Sequence, residues 1–225
     1  MLIVGCYFGL IPWNMERLQI DESDLGFAIL SFGVSFLISN QVRSAERLPK
    51  FGTKKIMTIG LVIISFSNII LVSAPTYFIL LFAHIPAGIG WGSSGPIGGI
   101  HAQLIERHSG KIISPYYAMG FNIGIFIGGI LAGFILGNTM SPTFVFLILF
   151  FLSIIVSLII YMNGLPKDLD FKGEGEKLKI PEKNVLIFGF LLFVIFGSNG
   201  IIIDWSALWF TKELNAPLYL ASLGL

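Results

Sequence analysis

Residues 120–137 read GFNIGIFIGGILAGFILG, with glycines at Gly120, Gly124, Gly128, Gly129, Gly133 and Gly137. Every fourth residue falls on nearly one face of an α-helix, so the spacing predicts a smooth backbone ridge about 25 Å long. In water each interior glycine would weaken such a helix by roughly 0.5–1 kcal/mol relative to alanine. In a bilayer the same ridge lets a second helix approach closely, and small-xxx-small spacing packs membrane helices in this way. Apart from Asn122, only Ile, Phe, Leu and Ala stand between the glycines.

The rest of the chain has the same character. Of its 225 residues, 55% are hydrophobic and 12% charged, with a mean hydropathy of +0.85. A soluble domain carries about 25% charged residues. The fold class that follows is all-α, a polytopic integral membrane protein whose first partner is the lipid bilayer. A net charge of +1 gives no basic signal for nucleic acid. The single Cys6 excludes an intrachain disulfide. LIVGCYFGLIPW follows Met1 without a charged region or cleavage pattern, so no signal peptide is expected.

Residues 2–13 are shorter than the roughly 20 needed to cross a bilayer. They form either a truncated first helix or one that continues to Leu18. Further apolar runs lie at 25–42, 56–73, 77–107, 113–137, 142–162 and 184–210, with an eighth helix starting before Leu225. The run at 77–107 is rich in breakers, and Pro86 and Pro96 predict kinks there. Acidic Glu16, Asp21, Glu22 and Asp24 mark a surface loop; the polar stretch 163–183 reads as a linker. The division is a six-helix bundle at 1–162, the linker at 163–183, and the start of a second bundle at 184–225. Of the 14 Lys and Arg, all but Arg17 and Lys212 fall on one side of this threading. The positive-inside rule then places the N-terminus and the linker in the cytoplasm of a multi-pass cell-membrane protein.

Six helices, a linker and a further helix resemble the first part of a major facilitator superfamily transporter. Lys50-Phe51-Gly52-Thr53-Lys54-Lys55 resembles the end of that superfamily's loop signature, whose earlier Gly and Asp are Ala45 and Pro49 here. His84-x-x-x-Gly88-x-Gly90 is similar to its Arg-x-x-x-Gly pattern, and Gly120-x-x-x-Gly124-x-x-x-Gly128-Gly129 to its Gly-rich fifth helix, with Ile125 at the usual Pro. Gly200-x-x-x-Asp204-Trp205-Ser206-Ala207 and His101-Ala102-Gln103 resemble the MosC-like branch, linked to an inositol-type solute; Ala118 stands where that branch carries His. The resemblance implies alternating access by two bundles, a sugar- or polyol-like small-molecule substrate, and a loop of Arg47, Lys50, Gly52, Lys54 and Lys55 bracing one end of the motion. At one constant offset Leu25-Gly26 aligns with Leu223-Gly224 and Tyr7 with Trp205, as expected if a second, incomplete half restarts the first.

Polar residues within the apolar runs are the candidates for substrate binding. His84 reads as a partner for substrate or a coupled proton or cation, or as a neutral ring bonded to a carbonyl freed by Pro86. Trp91 near mid-membrane is a stacking platform or a packed indole. Asn122 needs partners for its amide near the midplane, from a solute or from a neighbouring helix. Asp204 is either an interfacial carboxylate beside Trp205 or a cavity group, with Asn199 the deeper cavity candidate. Asn68 reads as structural. No catalytic or metal constellation emerges: His84 and His101 lie about 25 Å apart on one helix, and no Ser sits in a nucleophile elbow. The chain is read as no enzyme and as needing no cofactor. The rival reading is a structural, half-size membrane protein that works by dimerising.

Overall fold

The computed structural model describes residues 1–42, 48–170 and 182–224. Nine α-helices are found among them, and no strand: α1 (Leu2–Gly9), α2 (Ile11–Leu18), α3 (Glu22–Val42), α4 (Leu48–Phe51), α5 (Thr53–Ser73), α6 (Tyr77–Ser109), α7 (Ser114–Gly137), α8 (Pro142–Asn163) and α9 (Lys183–Lys212). Short 3-10 turns occur at Lys167–Leu169 and Leu218–Gly224.

The first apolar run continues to Leu18. It is interrupted at Leu10, which keeps near-helical angles of φ −94 and ψ 0. Pro12 supplies the reason, because it has no N–H for the carbonyl four residues back. The acidic stretch is more ordered than a loop. Asp21 accepts from the Asp24 N–H at 2.8 Å, and Glu22 and Asp24 lie in the first turn of α3, where negative charge suits the helix dipole.

Among the described residues five segments are long and apolar enough to cross a membrane: Glu22–Gln41, Thr53–Ser73, Ser114–Gly137, Pro142–Asn163 and Lys183–Lys212. α6 has 33 residues but does not join them on composition, because its glycines, serines and histidines dilute its apolar content. Packing decides its place, since it lies against both α3 and α5. A Cβ on Gly90 would stand 2.5 Å from the Ile64 nitrogen of α5, and one on Gly92 would stand 2.8 Å from the Phe36 oxygen of α3. The residues that read as helix breakers therefore let α6 wedge between two neighbours.

The ridge on α7 is used over its middle. Added Cβ atoms would stand 2.8 Å from Met1 Cβ at Gly124 and 2.6 Å from the Cys6 nitrogen at Gly128, so α1 lies directly on it. Gly129 is buried and Gly133 half-buried, whereas Gly120 faces open space, with nothing within 4 Å of its added Cβ. Hydroxyls tie further pairs together. Ser39 donates to the Ile89 carbonyl at 3.1 Å between α3 and α6, and Ser153 to Ser65 at 2.7 Å between α8 and α5.

The apolar core gathers Leu10, Leu71, Leu80, Ile135 and Phe146. The outward faces expose Phe27, Phe126, Phe151 and Phe193, as a lipid-facing surface requires. α9 joins the bundle through its last turns, where Ala207 and Leu208 are buried and Lys212 pairs with Glu22. Leu218–Gly224, where an eighth helix is expected to start, forms a 3-10 turn against α7 and α9.

Candidate functional site

Four polar side chains meet in a small cavity of about 40 Å³ between α1, α2, α3, α5, α6 and α9. Tyr7, Asn68, His84 and Asp204 line it, with Trp91, Phe8 and Phe32 among its apolar walls. Sequence reasoning had named His84, Trp91 and Asp204 of these. The structure brings the three together.

His84 is buried about two turns inside α6. Its Nδ1 lies 2.8 Å from the Leu80 carbonyl, which can only accept, so Nδ1 carries the proton. In the neutral ring Nε2 is then an acceptor, and the Tyr7 hydroxyl donates to it at 3.2 Å. The bonded carbonyl is that of Leu80, not the Phe82 carbonyl whose helical partner Pro86 removes. Tyr7 is placed by α1, which the glycine ridge of α7 holds in position. Asp204 reaches the same cavity from α9, and its carboxylate has no hydrogen bond to any described residue. Asn68 donates to the Ile64 carbonyl at 2.8 Å, while its Oδ1 is buried without a partner. A carboxylate, an amide oxygen and a histidine–tyrosine pair beside apolar walls can hold a cation or a few waters in a space of this size.

Trp91 is packed edge-on to Phe32 at 6.1 Å and Phe121 at 5.9 Å, and tilted against Phe8 at 6.3 Å. It is both a packed indole and part of the cavity wall. Asn122 does not join it. That side chain is exposed and donates to its own Ala118 carbonyl at 2.9 Å. Asn199 is exposed too, away from the cavity.

The opposite end of the bundle holds a second polar cluster. Gly52 precedes α5 with φ +79, an angle that favours glycine, and it has no side chain to cap the helix. Asp170 replaces the cap from the far end of the chain. Its Oδ2 accepts from the Thr53 N–H at 2.6 Å and from the Thr53 hydroxyl at 2.9 Å. The Thr53 oxygen in turn lies 2.8 Å from Nδ1 of His101, so that ring nitrogen donates. A Cβ on Gly52 would stand 2.8 Å from the same carboxylate oxygen. Of the loop residues named from sequence, Lys50, Gly52, Lys54 and Lys55 surround this joint, and Arg47 lies outside the described residues. Asp170 was missed because it pairs across most of the chain. The one local signal was a capless glycine at a helix start. Among the described residues no group of His, Cys, Asp and Glu could hold a metal ion.

A sequence model described as Major Facilitator Superfamily matches residues 1–225. The chain belongs to the major facilitator superfamily. It is also 23% identical over 207 residues to an uncharacterized MFS-type transporter of Yersinia pestis, covering 90% of this chain. The chain spans about half the length of that relative, 52%. The Lys50–Lys55 stretch lies at the Asp170 joint, and the Gly-rich α7 lies against α1.

Proposed function

We propose that this bundle forms part of a secondary active transporter that carries a small polar solute by alternating access, with the cavity beside Tyr7, His84, Trp91 and Asp204 as the solute site. The observation that carries the reading is the arrival of Asp204 from α9 opposite the His84–Tyr7 pair of α6 and α1. α9 follows the linker, so this cavity lies where residues 1–162 meet the chain after 183. Transporters of this kind bind their solute near such a junction and rock one bundle against the other. The unpaired carboxylate supplies a place for a coupled proton or cation, and the aromatic wall suits a sugar- or polyol-like ring once rocking of the bundles widens the cavity beyond its present volume of about 40 Å³. The Lys54 end, with most of the basic residues, is the cytoplasmic one in this reading. The superfamily membership and the single cavity shared by three of the sequence candidates support transport over the half-size structural reading.

The test is uptake by the full-length protein across polyols and sugars, at matched expression. His84→Gln and Asp204→Asn are expected to lower uptake about tenfold or more, which a loss of one or two charged or buried hydrogen bonds brings about. Full uptake in both variants would remove the cavity from the transport path.

A further inference from the structure

The Lys54 end of the bundle carries a groove of about 430 Å³ between α4, the start of α5, the end of α8 and the Lys167–Leu169 turn. Lys50, Lys54, Lys55 and Lys167 line it, and among the described residues the one acid lining it, Asp170, is buried and hydrogen-bonded to Thr53. The ammonium groups are gathered by aromatic rings. Lys54 lies 5.3 Å from the ring centre of Tyr161, and Lys55 and Lys50 lie 5.4 and 5.6 Å from that of Phe51. Lys54 also donates to the Gly164 carbonyl at 3.4 Å. The stem of Lys167 is held over Gly52, its Cγ 3.6 Å from where a Cβ would stand. The Asp170–Thr53 joint is what brings that turn there.

The groove lies where two membrane-spanning helices end, Thr53–Ser73 at its start and Pro142–Asn163 at its finish. Below it α8 exposes Leu158 and Tyr161 to the hydrocarbon. We infer that this groove binds the phosphate headgroup of an anionic phospholipid, with the lysines around the phosphate and the acyl chains along α8. Basic pockets between helices on the cytoplasmic side hold such headgroups, because each lysine near the surface adds attraction for negative charge. The exposed apolar strip favours a lipid over a free anion, which has no use for it. This inference stands apart from the transport reading.

The full-length protein in neutral detergent, titrated with dioctanoyl phosphatidylglycerol and followed by native mass spectrometry, tests it. Saturable binding is expected, about 100-fold weaker in Lys54→Gln/Lys55→Gln/Lys167→Gln. Lys111→Gln/Lys183→Gln, basic residues outside the groove, should leave it unchanged. An equal loss in both variants would overturn the site in favour of diffuse charge. Equal binding of dioctanoyl phosphatidylcholine, or displacement by inorganic phosphate at the same concentration, would overturn the lipid assignment. If the triple variant does not purify, Lys167→Glu on its exposed turn decides instead: unchanged binding overturns the proposal.

Discussion

His84 and His101 stand about 25 Å apart on α6, each 4% exposed, yet one ring borders a cavity and the other is packed into a joint. Around His101 the neighbouring polar groups are used up on one another, although the ring's own Nε2 is buried without a described partner: Asp170 takes both donors of Thr53, and Thr53 takes the histidine proton. Around His84 they are not. Tyr7 satisfies one nitrogen, but Asp204 and the Asn68 oxygen face the cavity with no described partner. Burial alone therefore does not separate a binding histidine from a structural one. Unanswered polar atoms on neighbouring side chains that share a cavity with the ring do.

The frame both ends share gives the largest expected effect. Gly128→Leu should destabilise the protein by about 3 kcal/mol or more, since the backbone of α1 cannot yield to the side chain. Gly120→Leu should leave the thermal midpoint in detergent nearly unchanged. Equal losses would mean that the ridge does not hold α1. Next comes the joint. Asp170→Ala leaves the Thr53 N–H and hydroxyl buried without that acceptor, and a loss of about 3 kcal/mol is expected on thermal unfolding. His84→Gln should change stability by less than about 1.5 kcal/mol while lowering uptake, because one modest hydrogen bond is lost. If Asp170→Ala spared stability and His84→Gln abolished it, the contrast between the ends would be reversed. The smallest effect belongs to Asn122→Ala, whose side chain bonds only its own helix; uptake within about twofold of the parent is expected.

Most helices were legible from apolar runs, and the positions of α5, α7 and α8 follow them within a turn. α6 was legible too, although its glycines and prolines read as damage; they are the close-contact surface by which it fits between α3 and α5. Where the eighth helix is expected to start, the described residues hold a 3-10 turn packed on α7 and α9. Site legibility was uneven for a geometric reason. Asn122 lies two residues, or about 200°, from Gly124 around α7. Once the ridge docks on α1, Asn122 must point away. Its polarity was visible; the side it faces depends on which helix takes the ridge. Tyr7 was hidden inside an apolar run, and only its partner His84 gives its hydroxyl a meaning.

The most direct test is solute protection of a thiol. In the full-length protein with Cys6→Ala, a cysteine is placed at Ile29→Cys on the cavity wall or at Asn199→Cys on the exposed face of α9, and maleimide labelling is timed with and without a transported solute. The account predicts that solute slows labelling at position 29 and leaves position 199 unaffected. Protection at 199 with none at 29 would contradict it.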